Sequence, residues 1–357
     1  MVTSVHLSLA GRMGSPVTQR FPMNIFSAQR FSFSAFSLIW MILTLIAFNP
    51  QHVRAQASKK PTIPKPLSLP LEANGLTIQC AYFPGGFIQK TETEIVTMPG
   101  KEVVPIILLH GYEGRGSDFS ALAAALQKQG HAVMVPDLRG HGASNKVKFP
   151  SGVEKEVDVS KLRSADFASM ATDVEVIKRY LYEQNNEGLV NIEMLCLMGA
   201  DLGGLVAANW IAFDWSRQDL PAFKQGKSAK ALLILSPIAT LKGYNAAVAW
   251  KHPVFQSNIL SIMLIAGKRD TKSYNEAKQM FKRLERHHPM PADPAERPAK
   301  QSLFFIEPDT ELKGTKLVDP RASLPIVQSS ILQFITLRFV NRKDEFPWAE
   351  RKNPLSD

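Results

Sequence analysis

A glycine-flanked turn with a carboxylate at its centre is the first candidate for chemistry in this sequence. Residues 195–204 read "LCLMGADLGG", an apolar strand that runs into a turn with Gly199 and Gly203 at its ends and Asp201 in the middle. A common enzyme turn, G-x-S-x-G, has this spacing with a nucleophilic serine at the central position. Aspartate there is either a different nucleophile, which would form an ester intermediate, or a sign that the chemistry has been lost.

A carboxylate at this position also has a purely structural interpretation. Asp201 stands where a helix is predicted to begin, and aspartate is a good N-cap whose charge suits the positive end of the helix dipole. Aspartate also tolerates a positive φ better than most residues do. The turn is therefore compatible with chemistry and equally with a requirement of the backbone alone.

The elements that would position this turn alternate between apolar strands and amphipathic helices. The predicted strands read "LTIQCAYF", "VPIILLHG", "HAVMVPDL", "LCLMGA", "ALLILSPIA", "SIMLIAGKRD" and "SLFFIEPD". Apolar residues recur at helical spacing in 117–130, 166–184, 202–213 and 324–340. Continuous apolar strands that alternate with helices predict an α/β fold with a mostly parallel central sheet and helices on both faces.

One domain accounts for most of the 357 residues. We assign 1–55 to a signal peptide, 56–73 to a proline-rich spacer, 74–345 to the α/β domain and 346–357 to a polar tail. No internal repeat and no second domain is recognisable in the sequence.

The N-terminal segment predicts export. Residues 36–48, "FSLIWMILTLIAF", form an apolar run that follows arginines and precedes "VRAQA", where Ala55 or Ala57 could end a cleavage site. The run is shorter than the roughly 20 residues of a spanning helix, so no transmembrane helix is expected after cleavage. We therefore expect a location in the periplasm or cell envelope. An uncleaved interfacial anchor is the alternative.

Charge and cysteine content exclude several other classes of function. The net charge is +10, of which +4 belongs to residues 1–55, and the remainder is spread without a basic block. This pattern argues against a nucleic-acid partner. The two cysteines, Cys80 and Cys196, lie in apolar strand-like runs, and no Cys/His spacing suggests a metal site. No cofactor is predicted.

The order of these motifs resembles that of the α/β-hydrolase fold superfamily. The stretch 108–144, "LLHGYEGRGSDFSALAAALQKQGHAVMVPDLRGHGAS", is similar to the corresponding stretch of lysophospholipase- and monoglyceride-lipase-like members. The resemblance covers about 74–340 and implies the α/β-hydrolase fold. The segment 241–258, where many relatives carry a lid, is short, so the lid is expected to be short or absent.

The resemblance also implies roles for individual residues. In active relatives the elbow residue attacks an acyl carbon, a histidine takes its proton, an acid orients the histidine, and two backbone N–H groups hold the oxyanion. By position, the oxyanion donors would be the N–H groups of Tyr112 and Leu202, and the acid would be Asp270. Asp270 also has the simpler interpretation of a turn residue at a strand end. The remaining motif residues are His110, Gly111, Gly199 and Gly203.

The histidine that the resemblance requires is missing. The family places it in the loop after the last strand, here "TELKGTKL", but no histidine follows His288. Lys313 occupies the expected position, directly before a Gly-Thr pair. His287 and His288 end a helical stretch on the other side of the last strand, where histidines commonly interact with the helix dipole.

Some members of the superfamily, the epoxide hydrolases and haloalkane dehalogenases, do use an elbow aspartate. Turnover of their ester intermediate needs a base, again a histidine. Lys313 is a poor base because the reference pKa of lysine is about 10.4. Asp201, Asp270 and Lys313 are therefore expected to hold the triad-equivalent positions without activity.

The sequence thus predicts an exported pseudo-hydrolase with a binding or scaffolding role, whose ligand is an unknown small molecule or whose partner belongs to the envelope. The alternative is an active hydrolase of ester-like or related small substrates, which uses Asp201 or a constellation that the sequence does not identify.

A lysine between two carboxylates could replace the vacated triad. A lysine ammonium can serve two acids with its three donors, which would relieve repulsion between Asp201 and Asp270. We therefore expect Lys313 to point into the former active site and pair with one or both. The alternative is that Lys313 points to solvent, since lysine is seldom buried.

Overall fold

The computed structural model describes residues 61–73, 75–148, 151–220, 224–322 and 324–351. The predicted signal peptide, 1–55, and the last six residues of the predicted polar tail lie outside the described residues. All statements below concern the described ranges.

A large mixed sheet forms the centre of the domain. Its strands run in the order β14-β13-β10-β9-β5-β6-β2-β7-β8, with β1 also paired to β2, and β3-β4 and β11-β12 form two small hairpins. The strands are β1 Leu67–Ala73, β2 Leu76–Phe83, β3 Phe87–Gln89, β4 Ile95–Thr97, β5 Pro105–Leu109, β6 Ala132–Pro136, β7 Lys146–Lys148, β8 Glu154–Glu156, β9 Leu195–Ala200, β10 Ala229–Leu235, β11 Thr240–Leu241, β12 Tyr244–Asn245, β13 Ser261–Ile265 and β14 Leu303–Ile306.

Six α-helices are described, together with short 3-10 helices at the connections. The α-helices are α1 Ser120–Lys128, α2 Ser164–Asn186, α3 Leu202–Ser216, α4 Thr271–Leu284, α5 Arg297–Lys300 and α6 Pro325–Arg338. The 3-10 helices are Gly100–Glu102, Gly116–Phe119, Val159–Lys161, Ile192–Met194, Ala249–Lys251, Pro253–Gln256, Pro294–Glu296, Gly314–Val318, Pro320–Ala322 and Val340–Glu345.

The central strands are parallel and buried on both faces, as the apolar runs predict. The pairs β6–β5, β5–β9, β9–β10, β10–β13 and β13–β14 are all parallel. Successive residues of β9 face opposite layers: Leu195 and Leu197 pack with α2 and α3, whereas Cys196 and Met198 pack with α1 and α6. The predicted α/β-hydrolase architecture is confirmed.

The domain begins earlier than the sequence analysis predicted. The assigned boundary at residue 74 is wrong because β1 pairs antiparallel with β2 along its whole length, from Leu67 opposite Tyr82 to Ala73 opposite Leu76. The prolines of this segment are typical of a spacer, which explains the prediction. Pro70 is nevertheless tolerated because β1 is an edge strand.

The domain also ends later than predicted. Residues 346–351, assigned to the polar tail, pack against the end of α2 and the segment before β9. The Trp348 indole N–H donates to the carbonyl of Asn185 at 3.2 Å. The Arg351 guanidinium is buried, pairs with Glu193 and donates to the Lys224 carbonyl at 2.6 Å. The Phe346 ring also packs against Phe339, with ring centroids 5.8 Å apart. A polar composition does not reveal such a segment because these contacts join parts of the chain that are far apart in sequence.

No helix in the described ranges is both long enough and apolar enough to cross a membrane. Cys80 and Cys196 are both free and buried.

A buried ion cluster fixes α3 against α2. The Lys178 ammonium lies 3.2 Å from Asp214 Oδ1 and 2.9 Å from Glu175 Oε1, and Lys178 and Asp214 are almost fully buried. Asp214 Oδ2 accepts the N–H groups of Ser228 and Ala229 at 2.7 and 3.2 Å. Since every charge in the cluster is paired, removal of one member leaves an uncompensated charge in the interior.

Lys178→Met is therefore expected to lower the free energy of unfolding by about 3–5 kcal/mol, measured by urea denaturation. Lys161→Met is the control, because the Lys161–Asp158 pair is mostly exposed and should contribute less than about 1 kcal/mol. Equal effects of the two substitutions would contradict this account of the cluster.

Candidate active site

The site lies at the carboxyl ends of the parallel strands, where β9 turns into α3. Asp201 is the N-cap of α3 and has φ 36° and ψ −101°. Its N–H donates to the Leu235 carbonyl at the end of β10 at 3.0 Å. A Cβ at Gly203 would lie 2.1 Å from the Leu109 carbonyl oxygen, and a Cβ at Gly199 would lie 2.2 Å from the carbonyl carbon of Gly203. Only glycine permits this close approach of helix and strands.

Two backbone N–H groups donate to one oxygen of the Asp201 carboxylate. Its Oδ1 accepts the N–H of Tyr112 at 2.7 Å and also the N–H of Leu202. These are the two groups that the family resemblance assigns to binding of an oxyanion, and the structure brings them together on a single oxygen of the protein itself. A developing negative charge on a substrate would have to displace this carboxylate.

The second carboxylate oxygen of Asp201 lies over Gly111. A Cβ at Gly111 would lie 2.2 Å from Asp201 Oδ2, so glycine is required beneath the carboxylate. Oδ2 accepts no hydrogen bond from the described residues. Burial raises the pKa of Asp201, and the N–H groups of Leu202 and Tyr112 and the charge of Lys313 act in the opposite direction.

Lys313 does not form the expected bridge. Its side chain is exposed, and no ion pair within 4.0 Å joins it to Asp201 or to Asp270 in the part of the chain that the structure describes. The expectation that Lys313 pairs with these carboxylates is wrong. The loop is instead fixed by its backbone, since the Gly314 N–H donates to Ser236 Oγ at 2.8 Å. The ammonium therefore remains in water, where it avoids the cost of desolvation.

Asp270 keeps a vacant acceptor. It precedes α4, makes no side-chain capping bond, and its Oδ2 is buried without a hydrogen-bond partner among the described residues. In an intact triad, the acidic residue accepts a hydrogen bond from the catalytic histidine. No described histidine donates a hydrogen bond to Asp270.

The histidines near the turn are used to hold loops. His110 Nε2 accepts the Leu138 N–H at 2.8 Å and its Nδ1 contacts the Gly111 carbonyl at 2.8 Å. His141 similarly accepts the Glu113 N–H at 3.3 Å and contacts the Arg139 carbonyl at 2.9 Å. Burial lowers the pKa of His110 to about 4. Both rings are therefore neutral structural groups, and neither contacts Asp201 or Asp270.

A hairpin covers the side of the site beside Tyr112. The Lys242 ammonium, in the turn between β11 and β12, donates to Tyr112 Oη at 2.8 Å and to the Ser160 carbonyl at 2.7 Å. Sequence analysis did not single out Lys242 or Ser236. The sequence does show a turn at "LKGY" and a serine directly after β10. Neither pattern indicates which residues Lys242 and Ser236 contact. Among the described residues, no group of three or more His, Cys, Asp or Glu side chains is placed to hold a metal ion.

The raised pKa of Asp201 gives a pH-dependent contribution to stability. A carboxyl whose pKa is higher in the folded state favours folding most when it is protonated, so this contribution is lost as the pH rises through the folded pKa. Asp201→Asn keeps the acceptor and does not titrate. We therefore expect the free energy of unfolding of Asp201→Asn, minus that of the wild type, to increase from about pH 4 to pH 7. Urea denaturation of both proteins at each pH measures this difference.

Asp319→Asn is the control for this titration. Hydrogen bonds from Arg321 lower the pKa of Asp319 to about 2, so the contribution of its charged form is lost only as the pH falls below about 4. The difference between Asp319→Asn and wild type should therefore stay nearly constant from pH 4 to pH 7. A constant difference between Asp201→Asn and wild type across this pH range would contradict the assignment.

Gly111→Ala is expected to lower stability by about 1–3 kcal/mol, because the new methyl group would overlap the Asp201 carboxylate. Asp201→Ala removes the overlapping atoms, so the cost of Gly111→Ala should be smaller in that background. Denaturation of the four proteins in this double-mutant cycle measures the coupling. Additive effects would show that the carboxylate does not lie against Gly111.

Comparison with known proteins supports the architecture described here. Esterase 2 from Thermogutta terrifontis, solved after phosphorylation by paraoxon, is 11% identical, with a TM-score of 0.51 over 77% of this chain and 95% of that one. The acylaminoacyl peptidase of Pyrococcus horikoshii is 10% identical, with a TM-score of 0.50 over 84% of this chain and 44% of that one. At these identities the likeness is one of fold. No curated protein sequence matches this chain.

A family model described as serine aminopeptidase, S33, matches residues 101–295, which is more than half of the chain and includes β5, the Asp201 turn and Asp270. This chain therefore belongs to the S33 serine aminopeptidase family of the α/β-hydrolase superfamily.

Proposed function

We propose that this protein is a non-catalytic member of its family, a pseudo-hydrolase that binds a ligand or partner. One observation carries the proposal: Asp201 Oδ1 accepts the N–H groups of both Tyr112 and Leu202. Acyl transfer needs these donors for the charge that develops on the substrate oxygen. A carboxylate in their place occupies the donors and repels a second negative charge.

The absence of a general base adds to this argument. No described histidine contacts Asp201 or Asp270, and Lys313 is exposed to solvent. General-base catalysis contributes about 10²–10⁴-fold to the rate of reaction. A site without the serine that gives up a proton and without the histidine that accepts it would lose this contribution.

A second candidate function follows from the free oxygen of Asp201. Oδ2 accepts no described hydrogen bond, while Oδ1 is held as the carbonyl oxygen of an ester would be. Oδ2 could displace a leaving group from an alkyl carbon and form an ester. Because hydrolysis of that ester needs a base, this reaction would stop after one equivalent per chain.

The direct test is an assay of residues 56–357 with p-nitrophenyl esters, monoacylglycerols and a fluorophosphonate probe. The resemblance of residues 108–144 to lysophospholipase- and monoglyceride-lipase-like members makes acyl esters the first substrates to try. We expect no turnover above buffer and no labelling. Sustained multiple turnover that disappears in Asp201→Ala would overturn the proposal.

Restoration of the triad makes the negative result interpretable. Asp201→Ser combined with Lys313→His places serine and histidine at the positions that the family resemblance assigns to the nucleophile and the base, so we expect the double variant to react with the fluorophosphonate probe. Asp201→Ser with Lys316→His is the control. Lys316 lies in the 3-10 helix that begins directly after Lys313, so this variant places a histidine in the same loop but not at the position that the resemblance assigns to the base. Equal labelling of wild type and the restored variant would count against a degraded site.

Reaction with alkyl halides or epoxides separates the second candidate from the first. Intact-mass spectrometry should detect no adduct on the wild type if the site is inert. A single stoichiometric adduct that is absent in Asp201→Asn would instead support self-alkylation.

Export and an envelope location remain part of the proposal and rest on the apolar run 36–48 that follows arginines. Fractionation of cells that express the full chain tests them. Recovery of the uncleaved protein in the cytosolic fraction would contradict export.

A further inference from the structure

The outermost strand of the sheet, β14, is unpaired along one side. It pairs parallel with β13 and with no other strand in the described ranges. β14 is three strands away from β9, or about 14 Å at the usual spacing of strands. The open edge is therefore separate from the Asp201 site, and the inference drawn from it does not depend on the proposed function.

The open side of β14 presents backbone hydrogen-bonding groups. The carbonyls of Ser302 and Ile306 point to β13, where each accepts a backbone N–H, at 2.6 and 3.2 Å. Backbone groups alternate in direction along a strand, so those of Leu303 and Phe305 point to the open edge. The Gln301 side-chain amide donates to the Leu303 carbonyl at 2.8 Å. Neither the N–H nor the carbonyl of Phe305 has a hydrogen-bond partner in the part of the chain that the structure describes.

β14 lacks the features that protect the other edge strands of this sheet. Proteins commonly prevent an edge strand from pairing with another chain by placing proline or charged side chains in it. β1 contains Pro70, and the three residues of β8, Glu154–Glu156, are all charged and exposed. β14 reads "LFFI", with neither proline nor charge. This contrast favours a role for β14 in pairing with another strand.

The two faces of the sheet differ in character beside this edge. On the side of α6 lies a groove of about 280 Å³, and most of its lining is apolar: Met263, Pro294, Pro298, Phe304, Ile306, Phe334 and Leu337. On the side of α4 the Phe305 ring is stacked between Tyr274 and Phe281, and the side chains around it are polar. The first face therefore suits apolar side chains, and the second suits polar side chains that stay in contact with water.

We propose that β14 pairs with an extended segment of a partner protein in which apolar and polar residues alternate. Successive side chains of a strand point to opposite faces of its sheet, so the apolar residues would enter the groove beside α6 and the polar residues would lie beside α4. The backbone of the segment would bond to the free groups of Phe305. In this mode of recognition, main-chain hydrogen bonds give affinity and the spaces for alternate side chains give specificity.

The contacts of β14 favour such a segment over a second copy of the chain. If the β14 strands of two copies paired, each would have to place a side chain in the groove of the other. Phe304 packs against Phe334 within its own domain, with ring centroids 5.3 Å apart, and Phe305 is stacked on α4. Neither ring is free to enter the groove of a neighbouring copy.

Titration of the purified protein into fluorescein-labelled peptides, followed by fluorescence anisotropy, tests the proposal. Three nine-residue peptides alternate threonine with valine, leucine or phenylalanine and carry a lysine at each end for solubility. We expect at least one of them to bind with a Kd of about 0.1 mM. The control is a peptide of the same composition whose apolar residues are contiguous, which should bind about tenfold more weakly.

Backbone methylation of the peptide that binds separates pairing with β14 from side-chain contact alone. Two versions carry N-methyl groups on alternate residues, either at the apolar or at the polar positions. Only one of these two sets of N–H groups can face β14, because backbone groups alternate in direction along a strand. One version should therefore lose binding, and the other should retain it.

Gln333→Trp tests the groove. Gln333 is exposed and lines the groove beside α6, so the larger side chain should fill this space and weaken binding by about tenfold. Gln328→Trp is the matched control, because Gln328 is exposed on the same helix but does not line the groove. Thermal melts check that both variants are folded.

Four results would overturn the proposal. No binding of any of the three alternating peptides, or equal binding of the two methylated versions, would show that β14 does not pair with an added strand. Binding that Gln333→Trp leaves unchanged would show that the groove takes no part. A dimer in sedimentation analysis that Gln333→Trp dissociates would show that a second copy of the chain covers the edge.

Discussion

The hydrogen bonds from two backbone N–H groups to one oxygen of Asp201 are the interaction around which the site is built. They join the loop after β5, through Tyr112, to the first residue of α3, Leu202. Hydrogen bonds to a charged group contribute about 1.5–3 kcal/mol each, but burial of the carboxylate opposes this and raises its pKa. The same donors that would stabilise a reaction intermediate in an active hydrolase here satisfy a side chain of the protein itself.

The surrounding structure holds this arrangement through contacts of the neighbouring loops and helices. The neutral rings of His110 and His141 fix the neighbouring loops through backbone contacts. The Lys178 cluster fixes α3 against α2, and Gly314 fixes the last loop to Ser236. These contacts hold the Asp201 turn in place through elements on several sides of it. Such a scaffold can still present a surface or a pocket, since function depends on the site and not on the fold.

The two places that could contact other molecules differ in physical character. At the Asp201 turn, Oδ1 of Asp201 accepts two backbone N–H groups. Asp270 Oδ2 is buried without a hydrogen-bond partner among the described residues. Along β14 and α4 the polar side chains are exposed, with the Lys278 ammonium over the Tyr274 ring and Glu307 bonded to the Tyr274 hydroxyl.

The sequence by itself determined the parallel central strands, the helices between them and the position of Asp201 at a strand-to-helix turn, but not β1, whose prolines indicated a spacer. These follow from local signals: continuous apolar runs, helical periodicity, and glycines at fixed spacing around the turn. The prediction of a Lys313 bridge was wrong. The direction of a long side chain depends on the cost of its desolvation and on the path of its loop. The hydrogen bond from the Gly314 N–H to Ser236 fixes the path of this loop. Which acceptor fills the oxyanion position was likewise decided only by the tertiary structure. Tyr112 and Asp201 are 89 residues apart in sequence, and only the pairing of β5 with β9 brings them within 2.7 Å.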